Sequence, residues 1–194
     1  EDGIRDVAVT GVQTCALQIL AAIERMHRMA VDVALSSARM GSGKYVMIPL
    51  HKGIDSFMSD EHYAKFYWPT LKDLVEKIVE AGYTPYILTE GPYYSRLKYL
   101  EELPEHKVVL AFTDMDMAVV KKALGARHCI TGGFNEHLLE VGTKQQVVDE
   151  VKRLLDICAP GGGYIFAVDR TLDYMAKPEN VEAMCETVRT YGKY

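Results

Sequence analysis

The chain has 194 residues, 48% of them apolar and 25% charged, with a formal net charge of -5 at pH 7, enough for one sizeable core and ordinary for a globular domain. The mild acidity, with no Lys/Arg block, argues against nucleic acid or an anionic membrane as the main partner, and no apolar run approaches the roughly 18 residues of a membrane-spanning helix. Cys15, Cys129, Cys158 and Cys185 are widely spaced and the six histidines form no His-x-x-x-His pair, so the composition reads as a soluble cytoplasmic domain without a disulfide framework or zinc knuckle.

The first stretch, Glu1 to Ile19, has no consistent period. Val9, Val12, Cys15, Ala16, Leu17 and Ile19 follow neither alternation nor helical spacing, and no cap or turn signal brackets them. From Leu20 the pattern becomes regular: Ile23, Met26, Ala30 and Val33 predict a helix stripe, with Gly41 as its stop. Gly41 to Lys44, read "GSGK", precedes the apolar run Tyr45 to Leu50 instead of following a strand. It lacks the upstream glycine of a phosphate loop and has Tyr45 where Ser or Thr is needed, so it reads as a turn into the first strand.

Ser59, Asp60 and Glu61 cap the next helix, whose buried stripe is Leu71, Leu74, Val75, Ile78 and Val79; Pro69 is expected to kink it and Gly82 to end it. Thr84 to Thr89 is the second strand, ending in Glu90. A short helix from Ser95 to Leu103 stops at Pro104, and "KVVLAFTD" is a third strand that runs out into Asp114. A helix from Asp116 to Leu124 ends at Gly125, and "RHCITGGFN" carries the fourth strand to a Gly-Gly turn and Asn135. Thr143 and Gln146 form a capping box for a helix with Val147, Val151, Leu154, Leu155 and Cys158 on one face. "YIFAVD" is the fifth strand, ending at Asp169, and Pro178 introduces the last helix, with Val181, Met184, Cys185 and Val188 inward.

Short strands alternating with helices mean β-α-β units and a parallel sheet, either open and doubly wound or closed as a barrel. No Gly-x-Gly-x-x-Gly follows the first strand, which weakens a dinucleotide-binding reading. Each of four strands is followed at once by a group able to do chemistry, His51, Glu90, Asp114 and Asp169, with Asn135 just beyond the remaining one. In a parallel barrel the C-terminal strand ends converge on one mouth, so these residues are expected to share a site.

"GTKQQVVDEVKRLLDICAPGGGYIFAVD" followed by "KPENVEAMCETVRTYG" resembles the C-terminal end of the uroporphyrinogen decarboxylase superfamily, and "DSFMSDEHYAKFYWPTLKDLVEKI" resembles its helix after a central strand. The resemblance covers Leu20 to Tyr194. It implies an α/β fold in which this chain holds about five strands, the C-terminal part, of a (β/α)8 TIM barrel. Glu1 to Ile19, by contrast, resembles the translation of a sequencing-library adapter, and the domain is therefore expected to occupy residues 20–194.

The superfamily contains cofactor-free decarboxylases of uroporphyrinogen and zinc-dependent methyltransferases that work with a corrinoid protein. The zinc branch uses a His-x-Cys-Gly motif and a later Cys. Aligned on Gly91, this chain has Leu88, Thr89 and Glu90 at the motif, and the later cysteine falls near Asp169 or Arg170; Arg170 also stands near the position of a decarboxylase histidine. The substitutes imply Glu90, His51 and Asp169 as catalytic groups, and Tyr93, Asn135 and Arg170 as substrate-binding ones. Glu90, His51 and Asp114 are a candidate zinc set with hard ligands. Glu90 is expected either to be a general acid, if burial beside Tyr93 and Tyr94 raises its pKa, or to pair with Arg96 or Lys98. His51 reads equally as a core histidine. At least one of Asp114 and Asp116 is expected to cap a helix, Cys129 to be an inert buried thiol, and Tyr63, Phe66, Tyr67 and Trp68 to be helix packing or the edge of a tetrapyrrole site.

The parent is thus expected to move a methyl group from a small methylated substrate to a corrinoid protein. The alternatives are decarboxylation of uroporphyrinogen or a related tetrapyrrole, and tetrapyrrole binding without chemistry.

Overall fold

The structure, a computed structural model, describes residues 2–192, with side chains from residue 18 onward. Helix α1 (Asp2–Met40) ends one residue before Gly41 and leads through the predicted turn into β1 (Tyr45–Leu50). The expectation that Glu1 to Ile19 is foreign to the domain falls mostly on side chains outside the described residues. Alternating elements then follow: α2 (Asp60–His62), α3 (Trp68–Glu80), β2 (Thr84–Thr89), α4 (Leu97–Leu100) and β3 (Val109–Phe112). The chain continues through α5 (Met117–Leu124), β4 (Cys129–Gly132), α6 (His137–Val141), α7 (Lys144–Cys158), β5 (Tyr164–Ile165) and α8 (Pro178–Tyr191).

All five strands are parallel and neighbours in sequence are neighbours in space, in the order β1-β2-β3-β4-β5. A doubly wound sheet reverses its strand order at a switch point, whereas a barrel winds on in one direction. The sheet is part of a TIM barrel. Its register places Ile48, Ile87, Leu110, Ile130 and Tyr164 in one row across the sheet. That row faces the helices, and Ile87, Leu110 and Ile130 within it are fully buried; each contributes about 1.5–3 kcal/mol by leaving water. Because strand side chains alternate, Met47, Tyr86, Leu88, Ala111 and Thr131 lie on the opposite, inner face.

Most caps are as the sequence predicts. Ser59 Oγ accepts from the His62 N–H, Asp116 caps α5 by accepting from the Ala118 N–H, and Thr143 with Gln146 closes the full capping box of α7. Asn180, buried near the start of α8, donates to the carbonyls of Leu139 and Gly142 at 3.1 and 3.0 Å and so ties the last helix to the α6–α7 corner. Pro69, expected to kink its helix, stands in the first turn of α3 directly after an irregular turn. The residue four before it, Lys65, lies in a π-helical turn, Tyr63–Tyr67, and the wider turn takes up the carbonyl that proline's ring and missing N–H displace.

Three expectations are corrected. On α1, Val31 is buried and His27 half-buried, whereas Met26, Ala30 and Val33 are exposed. The helix docks through the face that meets α3, where His27 Nε2 and Asp73 Oδ2 are 2.6 Å apart, and the apolar stripe beside it is left over. The fifth strand is shorter than predicted, because the chain leaves the ladder after Ile165 and returns in a single bridge between Phe134 and Val168. The predicted Ser95–Leu103 helix is a 3-10 turn, Tyr94–Arg96, followed by the single α-helical turn of α4.

His128, only 2% exposed at the start of β4, lies beside the Leu100 and Glu101 carbonyls without closing a well-formed hydrogen bond. Burial holds its pKa below the ordinary 6.5. Above that value the ring is neutral in folded and unfolded chains alike, and no stability is at stake. As pH falls below it, the unfolded chain takes the proton first, so stability declines towards the folded-state pKa. Urea midpoints between pH 7.5 and 5 should fall with a slope from this residue of at most about 1.4 kcal/mol per pH unit. His128→Gln should flatten that slope; an unchanged slope would place the acid sensitivity elsewhere.

Candidate active site

The inner face of the sheet opens, at the C-terminal strand ends, into a cavity of about 550 Å³. Met47, Tyr86, Leu88 and Val168 form apolar walls, and Glu90, Asp169 and Arg170 supply its charged groups. Glu90, the first residue past β2, continues the alternation of Tyr86 and Leu88 and therefore faces inward.

His51 follows β1, and its Nδ1 is hydrogen-bonded to Glu90 Oε2. The end of β1 is held by two tyrosines: the Tyr93 hydroxyl donates to the Leu50 carbonyl at 3.0 Å, and the Tyr67 hydroxyl to the His51 carbonyl at 3.2 Å. His51 is exposed, which removes the core-histidine reading. Glu90 does not pair with Arg96 or Lys98. Arg96, buried, donates to Asp60 Oδ1 at 2.7 Å and the Met58 carbonyl at 2.6 Å and lies over the Tyr63 ring, and Lys98 also donates to Asp60. Those bonds position the loop after β1, not the mouth.

Asp169 is cradled. Its Oδ1 accepts from the Gly133 N–H, its own N–H donates to the Phe134 carbonyl at 2.8 Å, and the Asp114 N–H also points at its carboxyl. Burial pushes its pKa above the ordinary 3.8 in spite of these N–H groups, with Glu136 and Asp114 adding like charge. Asp114 itself is exposed, adopts φ 55°, and takes Arg170 Nη2 on its Oδ2 at 2.5 Å.

Several sequence-predicted roles change. Tyr93 is fully buried, with its hydroxyl committed to Leu50 and its ionisation suppressed by burial, so it supports the mouth from behind and does not line it. Asn135 is exposed and its Oδ1 accepts from the His137 N–H at 2.9 Å, an Asx turn opening α6 outside the cavity lining. The His51, Glu90 and Asp114 set does not assemble: Asp114 turns to Arg170, and among the described residues no group of three His, Cys, Asp or Glu side chains is placed to hold a metal. Tyr63 and Trp68 are buried in the core, with Tyr63 stacked on Tyr67 at 5.1 Å between ring centroids, whereas Phe66 and Tyr67 are half-buried and line a cavity beside α1. Burial raises the Cys129 pKa and pushes the Cys158 thiol to about 11, so both stay protonated at neutral pH.

The sequence reading missed Thr113. It is buried at the end of β3, donates to the Thr89 carbonyl and accepts from the Gly91 N–H at 3.0 and 2.9 Å, and so clamps the turn that presents Glu90. A lone threonine at a strand end carries no signal in one dimension.

Residues 21–191 match the family model described as Uroporphyrinogen decarboxylase (URO-D). The chain belongs to the uroporphyrinogen decarboxylase family. A solved methyltransferase from Methanosarcina mazei is similar in fold, with a TM-score of 0.69 at 15% sequence identity. The likeness covers 86% of this chain and 48% of that one, so the chain spans about half of that protein's length. No curated protein sequence matches. Among the described residues, no helix of this family member is long and apolar enough to cross a membrane.

Proposed function

We propose that this chain supplies the C-terminal strands of an enzyme that transfers a methyl group from a small methylated substrate to a corrinoid protein, with Asp169 as general acid. The observation that carries the reading is the half-buried Asp169 carboxyl, its pKa pushed up from the ordinary 3.8 by burial, on the same apolar-walled cavity as Glu90. Cleaving the methyl–oxygen bond of a methyl ether leaves the electron pair on oxygen, and that oxygen must take up a proton. Asp169 donates it and is reprotonated from water at the open mouth. The corrinoid, when present, supplies the nucleophile that accepts the methyl carbon. The cradle around Asp169 fixes the donor's direction, and the hydrogen bond between His51 Nδ1 and the accepting Glu90 carboxylate orients the imidazole ring.

In the full-length enzyme carrying this sequence, Asp169→Asn should lower methyl transfer, followed through the corrinoid absorbance, by about 10²–10⁴-fold with little change in substrate affinity. Unaltered turnover would remove Asp169 from the chemistry. The second reading, uroporphyrinogen decarboxylation, is favoured by the family match and by Arg170, the cation on the cavity wall. Conversion of uroporphyrinogen by the same enzyme would replace the methyl-transfer proposal with it, and tetrapyrrole binding without turnover would point to a non-catalytic relative.

A further inference from the structure

Asp169 and Arg170 are adjacent in sequence and line the same cavity, and a guanidinium folded onto the carboxylate would hold it ionised. It does not do so here. Arg170 Nη2 instead donates to Asp114 Oδ2, fifty-six residues earlier, at 2.5 Å. Asp114 reaches it because the chain turns sharply after β3, with Asp114 in the left-handed region at φ 55°, a conformation that aspartate tolerates better than most side chains. The same turn aims the Asp114 N–H at the Asp169 carboxyl.

We propose that Asp114 is a positioning residue, which holds the Arg170 guanidinium away from Asp169 and so favours the protonated form of that carboxyl, the form able to donate. The proposal rests on the reading of Asp169 as the acid. The other charged groups around Asp169 are Glu136, at the start of α6, and Glu90 with its partner His51 on the β1–β2 side. The acids all favour the protonated form. Among the described residues lining the cavity Arg170 is the one Lys or Arg, so its placement bears directly on that balance. The Asp114–Arg170 pair is exposed on both sides, and such pairs add little to stability; its consequence lies in where the charge is held.

The test is an infrared titration of the Asp169 carboxyl in the full-length enzyme, assigned by subtraction of the Asp169→Asn spectrum. Asp114→Gly keeps the left-handed backbone and the N–H while freeing Arg170. It should make the Asp169 carboxyl more acidic by about tenfold or more, and should move the descending, alkaline limb of the turnover profile to lower pH by the same amount. Adding Arg170→Gln to Asp114→Gly should return most of that shift. Asp114→Asn, which keeps an oxygen facing Arg170, should give a smaller shift in the same direction and serves if the glycine variant fails to fold. An unchanged Asp169 titration in a folded Asp114 variant would overturn the proposal even if Asp169→Asn abolishes turnover. A shifted titration with normal Asp169→Asn turnover would instead uphold the placement of charge and refute the acid.

Discussion

Gly132→Ala is expected to abolish stable folding or to lower stability by about 3 kcal/mol or more, a large part of the 5–15 kcal/mol typical of a domain. Gly132 is the last residue of β4 and pairs with Phe112 of β3. Its φ of +100° is one that side-chain-bearing residues rarely adopt, and a Cβ there would lie 2.3 Å from the Phe112 carbonyl oxygen. The obstacle is backbone in the adjacent strand, so no rotamer change relieves it. Gly161→Ala is the control. At φ +80° it carries the conformational cost but meets nothing within 4 Å, and it should lose only about 1 kcal/mol. Urea midpoints at one protein concentration separate the two, and equal losses would show that strain alone, without the clash, accounts for Gly132. The damage should reach the site too, because the next residue, Gly133, donates to Asp169.

Residues 20–194 produced alone should associate into dimers or larger aggregates. Among the described residues β1 and β5 each have one strand neighbour, leaving two rows of unpaired backbone groups of the kind that recruit other chains. All-parallel sheets are normally covered on both faces, yet here Tyr45, Met47 and Ile165 are 65%, 61% and 47% exposed. The leftover stripe on α1, with Met26, Met29 and Val33 all exposed, adds apolar surface beside the β1 edge. Sedimentation velocity should therefore show no stable monomer, and Met47→Lys, a charge on the open face, should shift the distribution towards smaller species. A monomer that unfolds cooperatively would refute the expectation.

The site was legible as a location before it was legible as an arrangement. His51, Glu90, Asp114 and Asp169 stand directly after strands in the sequence, and a parallel barrel gathers strand ends whatever their spacing along the chain. Their partners were not legible. Proximity in sequence points Glu90 to Arg96 or Lys98, a few residues away, and it meets His51, 39 residues earlier. Tyr93 looked like a mouth residue because it follows Glu90 closely, but the turn at Gly91, at φ +126°, sends the chain back beneath β1.

What the sequence by itself determined is what neighbours within a few residues decide: the order of strands and helices, the Ser59, Asp116 and Thr143 caps, the stop at Gly41, and the apolar faces of α3, α7 and α8. These follow from backbone periodicity and from hydrogen bonds between residues up to four apart. Only the tertiary structure decided which face of α1 is buried, that Arg170 belongs to Asp114, and that Asp169 is the desolvated carboxyl. Strand register and the coverage of one element by another set those outcomes, through contacts between residues tens of positions apart, to which local propensity contributes nothing.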